Sequence, residues 1–158
     1  MKNTQIIKKL LSSMDNDQKS LTKKEEDRLL VIEKNKIFLK KVINKIGWPT
    51  IDKIGEEASK AAWLIAQHSD HDIIFQKKCL KLMKESIKNT NPVLIAYLED
   101  RILVKESGKQ KYGTQFYLEK GKWRPYPIRF IKTLDKRRES LGMSTFNEYL
   151  KIMNKKHK

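Results

Sequence analysis

Two segments between residues 67 and 115 decide the fold, and they follow different patterns. They read VLIAYLEDR at residues 93–101 and QKYGTQ at residues 110–115. The first is an apolar run that ends in charged residues, which is typical of a helix. In the second, side chains of different character alternate, which is typical of a strand. QHSD at residues 67–70 adds further polar groups, which are costly to bury without partners. The stretch therefore predicts helices and a short ribbon that bring polar side chains together at one site.

Helical patterns extend from this stretch towards the N-terminus. Apolar residues recur at helical spacing in four segments, residues 4–13, 25–46, 55–68 and 73–88. The run Asp15-Asn16-Asp17 is expected to break the first helix, and Gly47 to end the second. Trp48-Pro49-Thr50 forms a rigid corner, after which Thr50 can cap the next turn. The four alanines of the third helix predict that it is buried.

Towards the C-terminus the pattern changes from helix to ribbon and back. Ile102-Leu103-Val104 is rich in β-branched residues and could open a strand, and residues 110–117 alternate. Pro125 and Pro127 forbid a helix over residues 123–128. Helices are expected again over residues 135–141 and 146–153. The second of these begins with a Thr145 and Glu148 capping box. The predicted fold class is mainly α (α+β), a compact helical domain with a small antiparallel β-ribbon around residues 102–128.

The length of 158 residues suits one domain with a single core. We therefore predict a single domain over residues 1–158. Residues 1–46 would form an N-terminal helical arm or helical pair, and residues 154–158 a frayed basic tail. No repeat or long linker marks a second domain, and the sequence does not predict an oligomeric state.

The net charge of +16 invites a nucleic-acid partner, but its distribution weakens that interpretation. Residues 1–46 carry 12 basic and 6 acidic side chains, residues 47–119 carry 11 and 10, and residues 120–158 carry 12 and 3. The excess therefore lies on the two flanks. Only six of the 35 basic residues are arginine, and Ile and Asn are frequent, which is also typical of an AT-rich genome. Nucleic-acid binding through the lysine-rich flanks stays open.

Composition indicates a cytoplasmic protein. No apolar run approaches the ~20 residues that span a bilayer, so we expect no membrane association. The N-terminal residues lack the uninterrupted apolar segment of a signal peptide. Cys79 is the only cysteine, so no internal disulfide can form, and its helical setting predicts a packing role.

His68 is the leading candidate for acid–base chemistry. It lies at the end of the alanine-rich helix, where the partial negative charge of a helix C-terminus favours an imidazolium. The alternative is a helix-terminal histidine bonded to a backbone carbonyl. Asp70 could orient His68 as a carboxylate orients an imidazole in acid–base pairs, or it could cap the next helix instead, as could Asp72.

A second group of candidates surrounds the ribbon. Asp100 and Arg101 share one helical side with Tyr97, and they could form a structural ion pair or hold an anion. Gly113 permits a bulge or the close approach of a ligand, and Tyr112 and Thr114 would point to one sheet face. The alternative is a bulged edge strand. The other candidates for substrate binding are Gln67, Gln110, Gln115, Arg137 and Arg138.

Two adjacent arginines lie near the start of a helix close to the C-terminus, and the sequence lacks the motifs of several kinds of catalytic site. Arg137 and Arg138 point about 100° apart, so at most one should enter a site and the other should face solvent. There is no phosphate-binding glycine loop, no nucleophile elbow and no zinc-ligand spacing. We therefore predict no metal and no cofactor, although Mg²⁺ on Asp70, Asp72 or Asp100 stays open.

The chain resembles a bacterial family of small proteins classed as a domain of unknown function. The resemblance covers about residues 47–150, the expected family core. It rests on WPT at 48–50, QHxD at 67–70, LxDR at 98–101, QxYGTQ at 110–115 and RRxxxG at 137–142. The chain departs from the family pattern at Asp72-Ile73, where the family has Asp-Pro, and at Arg129-Phe130, where it has an acidic residue. The resemblance implies a shared site but no reaction.

Three functions are consistent with this sequence. The first is a small metal-independent hydrolase or transferase for an anionic, phosphate-bearing or nucleotide-like substrate. In it His68 would be general acid/base, oriented by Asp70 or Asp100. The second is a non-catalytic nucleic-acid binder that uses the flanking lysines, with Tyr117, Trp123 and Tyr126 as stacking surfaces. The third is a protein-interaction or immunity-type module, in which the polar groups of residues 67–115 bond only to one another.

Overall fold

The computed structural model describes residues 2–22 and 24–156. Within these residues the fold is mainly helical with one small antiparallel sheet, which confirms the predicted fold class. The α-helices are α1 (Asn3–Ser20), α2 (Glu25–Ile46), α3 (Ile51–Ile54), α4 (Glu56–His68), α5 (Ile73–Glu85), α6 (Pro92–Ser107), α7 (Leu134–Glu139) and α8 (Phe146–Lys156). The strands are β1 (Phe116–Glu119) and β2 (Lys122–Pro125). Short 3-10 turns cover Ile87–Asn89 and Ile131–Thr133.

The chain divides into two compact units, Met1–Asn91 and Pro92–Lys158. The first contains α1 to α5, and the second contains α6, both strands, α7 and α8. The single domain over residues 1–158 stays a prediction.

Helix α4 is the centre of the first unit. Its alanines Ala58, Ala61, Ala62 and Ala66 are at most 1% exposed, and α1, α2 and α3 pack against it. Small side chains let neighbouring backbones approach closely, so the dense packing follows from the sequence. The prediction that this helix is buried is confirmed.

Helix α1 continues through the segment that was expected to break it. The predicted break at Asp15-Asn16-Asp17 is wrong, because α1 runs to Ser20. Asp15 is exposed and lies 3.5 Å from Lys19 one turn on, whereas Asp17 is buried and hydrogen-bonded. Their side chains therefore bond outside the local backbone, so they do not compete with the helix.

The corners between helices follow the sequence closely. Helix α2 ends at Gly47, whose φ of 73° is the left-handed conformation that favours glycine. Asp72 caps α5 by accepting a 2.9 Å hydrogen bond from the backbone N–H of Phe75. Thr50 occupies the N-cap position of α3, but its hydroxyl makes no capping bond.

The second unit replaces part of the predicted ribbon with helix and loop. Ile102-Leu103-Val104 lies inside α6, so a strand there is wrong. Strands β1 and β2 pair antiparallel, with Phe116 opposite Pro125 and Glu119 opposite Lys122. Residues 110–115 form a loop, so Tyr112 and Thr114 do not share a sheet face as predicted. Three backbone N–H groups of this loop bond to Asp100, and Gln110 forms an isolated bridge with Ile128.

For the last two helices, the first residues were predicted more accurately than the last residues. Thr145 and Glu148 form the predicted capping box, with a 3.0 Å bond from the Thr145 N–H to the Glu148 carboxylate and a 3.4 Å bond in return. Helix α8 continues to Lys156, past the residue 153 expected, and the rest of the predicted frayed tail, residues 157 and 158, lies outside the described residues. In the described part of the chain, every helix is too short or too polar to span a bilayer.

Candidate functional site

The first unit contains a carboxylate–imidazole pair formed by Asp17 and His68. Oδ2 of Asp17 lies 2.7 Å from Nδ1 of His68. The two residues are 51 positions apart in sequence and are brought together because α1 packs on α4. His68 is the last residue of α4, as predicted. Its bonding partner is a carboxylate and not the backbone carbonyl that was the alternative.

The exposure of this pair differs between its two members. The side chain of Asp17 is 5% exposed, and that of His68 is 19% exposed. Within residues 2–22 and 24–156, Asp17 is the one hydrogen-bond partner of the His68 ring. The geometry therefore fixes the imidazole through Nδ1 and leaves Nε2 for another group, the arrangement that general acid–base catalysis uses.

The buried side-chain amide of Gln76 holds the turn after His68. Nε2 of the fully buried Gln76 donates to the carbonyls of Ala66 at 3.2 Å and Gln67 at 3.1 Å, and to Oδ1 of Asp70 at 3.3 Å. Asp70 is thus bonded to Gln76, and Asp17 takes the role at His68 that was predicted for Asp70 or Asp100. The amide oxygens of Gln67 and Gln76 are buried, with no hydrogen-bond partner among the described residues.

A network of charges surrounds the other histidine of this turn, His71. Its Nε2 lies 3.0 Å from Nζ of Lys36 and 2.9 Å from Oε2 of Glu33. Lys36 is buried and also lies 2.8 Å from Glu33 and 3.3 Å from Asp72. Burial lowers the pKa of Lys36, but the hydrogen bonds that its ammonium donates to Glu33 and Asp72 outweigh this effect, so the net shift of the pKa is upward. Lys36 is therefore a fixed positive charge in this network.

In the second unit, Asp100 is a buried carboxylate that organises the loop of residues 110–115. It is fully buried and accepts hydrogen bonds from the backbone N–H groups of Lys111, Tyr112 and Thr114 at 2.6–3.1 Å. The hydroxyl of Thr114 donates another at 3.0 Å. Burial raises the pKa of Asp100 above its ordinary value, and these four donors act against that rise. Both oxygens of the carboxylate are occupied by the protein itself.

Gln110 and Gln115 bond mainly to the same loop and to the residue that follows β2. The Gln110 amide donates to the carbonyls of Gln115 at 2.9 Å and Tyr126 at 2.8 Å, and its oxygen accepts from the Gln115 N–H at 2.8 Å. The Gln115 amide donates to Oγ1 of Thr114 at 3.1 Å. These amides therefore support the loop.

Arg137 and Arg138 both donate to the backbone of this loop. Arg137 donates to the carbonyl of Lys111 at 2.8 and 3.1 Å, and Arg138 donates to that of Tyr112 at 2.6 Å. Arg138 is 1% exposed and also lies 5.0 Å from the ring centre of Tyr149. The prediction that one arginine would face solvent is wrong, because consecutive carbonyls of the loop accept from both.

Gly113 makes a close approach to a protein side chain. Its φ is 73°, and a Cβ added there would lie 2.7 Å from the ring of Phe146. Nearby, the hydroxyl of Tyr97 donates to that of Tyr149 at 3.1 Å, and burial, with this bond, raises the pKa of Tyr149. The space that the sequence assigned to a bulge or a ligand at Gly113 is occupied by Phe146.

The structure thus collects the predicted residues in separate groups. Asp100, Gln110, Thr114, Gln115, Arg137 and Arg138 bond around the loop, with Tyr112 contributing its backbone. Arg101 is half-buried in α6.

Sequence reasoning missed Asp17, although Ile6, Leu10, Ser13 and Asp17 follow one stripe of buried positions along α1. That spacing of three and four residues was the available signal.

Other chemical groups in the described residues have simpler roles. No cluster of three or more histidine, cysteine or acidic side chains is placed to bind a metal within residues 2–22 and 24–156. Cys79 is fully buried, and burial raises the pKa of its thiol to about 12, so it packs as predicted and is not a reactive thiolate.

Comparisons with known proteins give one match. A family model described as "Family of unknown function (DUF6624)" matches residues 5–157. No curated protein matches the chain, and no solved structure does.

Proposed function

Since the chain belongs to DUF6624, a family of unknown function, its membership supplies no reaction, and we propose one from the geometry. The protein is a small metal-independent enzyme, a hydrolase or transferase, that acts on an anionic substrate with His68 as general acid/base. Asp17 is the positioning residue for His68. The observation that carries the proposal is the 2.7 Å contact between Asp17 and Nδ1 of a histidine whose ring is partly exposed.

The proposed role of each atom follows from this contact. An ionised Asp17 only accepts hydrogen bonds, so Nδ1 of His68 carries the proton and Nε2 carries the lone pair. Nε2 would take a proton from the attacking hydroxyl or water and return it to the leaving group. Asp17 would hold the ring in this tautomer and stabilise the imidazolium that forms. Acid–base catalysis of this kind contributes about 10²–10⁴-fold to a rate.

The sign of the charge supports an anionic substrate. The chain has a net charge of +16, which raises the local concentration of anions and speeds their association. A phosphate-bearing or nucleotide-like substrate suits this charge, because phosphoryl transfer depends on positioning and charge neutralisation. Of the residues predicted to bind the substrate, Gln110, Thr114, Arg137 and Arg138 are engaged by the loop of residues 110–115. The roles of Arg101 and Tyr112 stay predictions from the sequence.

The test measures turnover of p-nitrophenyl phosphate and bis-p-nitrophenyl phosphate by the full chain and its variants. His68→Gln should lower kcat by about 10²–10⁴-fold because the proton acceptor is lost. Asp17→Asn should lower kcat by about tenfold or more with little change in KM, and should move the pH profile of kcat, because the tautomer is no longer fixed. A merely structural role of Asp17 would leave that profile in place.

His71→Gln is the matched control, since His71 lies in the same turn and its Nε2 is already engaged by Lys36 and Glu33. It should retain the wild-type rate, as should the wild type after EDTA treatment. Equal rates for wild type and His68→Gln, or no turnover of either ester by the wild type, would overturn the proposal.

A protein-interaction module is the second candidate, and the loop of residues 110–115 favours it. Asp100, Gln110 and Arg138 bond to the chain itself, which is the arrangement expected if the polar groups serve only the fold. Under this alternative neither the wild type nor His68→Gln turns over either ester.

A further inference from the structure

A groove between α1 and α2 is lined on both sides by lysines. It has a volume of about 660 Å³, and its lining includes Lys9 and Lys19 from α1 and Lys34 and Lys41 from α2. Among the described residues that line it, none is acidic. The groove lies in the N-terminal segment that carries an excess of basic residues.

The floor of the groove is built and fixed. Asn35 is 8% exposed and donates from its side-chain amide to the carbonyl of Ser13 at 3.2 Å, which ties α2 to α1. Phe38 is buried beneath Lys9, whose Nζ lies 4.7 Å from the centre of the ring. This contact places the ammonium of Lys9 at the groove wall. The positive charges therefore border a preformed concave surface.

The acidic group that is paired at this surface weakens its attraction for an anion only slightly. An ion pair at the groove joins Lys19 to Asp15 at 3.5 Å, and both side chains are more than 70% exposed. Such exposed pairs contribute little, so a stronger anion can displace Asp15. Hydroxyl and amide groups of Ser12 and Asn16 line the groove between the lysines and can donate hydrogen bonds to phosphate oxygens.

We propose that this groove binds the phosphodiester backbone of a single-stranded nucleic acid. Lys9 and Lys19 are ten residues apart on one helix, so the lysine row is about 15 Å long. The four lysines that border the groove can each contact one phosphate of a strand that lies along that length. Lysine ammoniums and neutral donors recognise phosphates without reading bases, so binding should be independent of sequence. This site is separate in its residues from the proposed His68 chemistry.

The experiment follows the fluorescence anisotropy of a fluorescein-labelled 12-nucleotide oligothymidylate against the full chain at increasing salt. The groove variant Lys9→Gln, Lys19→Gln, Lys34→Gln and Lys41→Gln removes four charges. The control Lys60→Gln, Lys78→Gln, Lys88→Gln and Lys105→Gln removes four charges from exposed positions elsewhere. The groove variant should bind at least about tenfold more weakly, and the slope of log K against log salt should fall by about 2–3, or ~0.7 per lost phosphate contact.

A single substitution keeps the test informative if the fourfold variant folds poorly. Asn16→Glu places a carboxylate in the groove at an exposed helical position, and Asn147→Glu makes the same change at an exposed position of α8. Weaker binding by Asn16→Glu alone supports the proposal, and wild-type binding by His68→Gln separates it from the proposed enzyme activity. Equal loss in groove and control variants, or binding of polyglutamate without oligothymidylate, overturns it.

Discussion

Asp17 and Asp100 are both buried carboxylates, but the two units of the molecule use them differently. Asp17 bonds to the ring of His68, a side chain that is itself 19% exposed and can exchange a proton. Asp100 bonds to three backbone N–H groups and one hydroxyl, none of which titrates in the physiological range. The partners of a buried carboxylate therefore decide whether it is tied to a side chain that can act on another molecule or only to the protein backbone.

This difference also explains why a segment rich in polar residues need not be a binding site. Residues 110–115 are rich in polar groups, and the sequence assigned four of its eleven candidate site residues to them. In the structure their hydrogen bonds close on one another and on Asp100. The Asp17–His68 pair is poorer in polar residues, yet among the described residues it leaves Nε2 of the ring without a hydrogen-bond partner, as the proposed role requires.

The largest expected effect comes from Asp100→Asn. The new amide would face backbone N–H donors with its own donor group, so buried donors would lose their acceptor. We expect the free energy of unfolding to fall by about 3–5 kcal/mol, in the range for breaking a buried charged network. Urea denaturation followed by circular dichroism measures the change.

Two comparisons sharpen this prediction. Asp17→Asn should cost about 1–2 kcal/mol, because fewer groups depend on that carboxylate. Asp15→Asn, at an exposed ion pair, should change stability by less than about 0.5 kcal/mol. If Asp17→Asn proved as costly as Asp100→Asn, the contrast between the two carboxylates would fail.

Gly113→Ala tests whether the loop around Asp100 is sealed by packing. The added Cβ would lie 2.7 Å from the Phe146 ring, at a φ of 73°. Gly121→Ala is the matched control, since Gly121 has a φ of 77° and no atom within 4 Å of the added Cβ. Both variants carry backbone strain, and the clash should cost Gly113→Ala about 1–3 kcal/mol more. Equal thermal unfolding of the two variants would show that the ring moves away freely.

Asp72→Asn examines a third carboxylate, which is part-buried and bonded to lysines. Burial raises the pKa of Asp72, but the Phe75 N–H, Lys40 and Lys36 together hold the pKa at about 2. A depressed pKa stabilises the fold above the unfolded value of about 3.9, and this contribution disappears as the pH falls towards 2. Asparagine still caps α5, so the variant should lose about 1–2 kcal/mol at pH 7, and this loss should shrink as the pH falls below about 4 and vanish only below the folded pKa of about 2. A loss that is constant across this pH range would rule out the charge as its cause.

The helices could be predicted from sequence where local signals agreed. Helix α2 has a periodic apolar face that ends at a glycine, and its bounds were predicted correctly. Helix α1 was cut short because Asp and Asn favour caps and turns, and nothing local shows that Asp17 pairs with a residue 51 positions away. The strand at residues 102–104 failed because β propensity depends on a partner strand, which α6 does not have.

The sequence predicted the residue types of the candidate site better than it predicted which residues bond to one another. The end of α4 and the cap at Asp72 identified the turn that holds His68. The partner of His68 and the double use of Arg137 and Arg138 depend on tertiary packing and on carbonyls of a loop. Such contacts have no periodic signature, so they follow only from coordinates.

Both polar groups of the peptide bond between Lys111 and Tyr112 are hydrogen-bonded. Its carbonyl accepts from Arg137, and its N–H donates to Asp100. A protease must draw several residues of its substrate into an extended strand, which would break both attachments at once. In a chain with 35 basic residues, this lysine linkage is therefore protected from tryptic cleavage by backbone bonding, although its side chain is only half-buried.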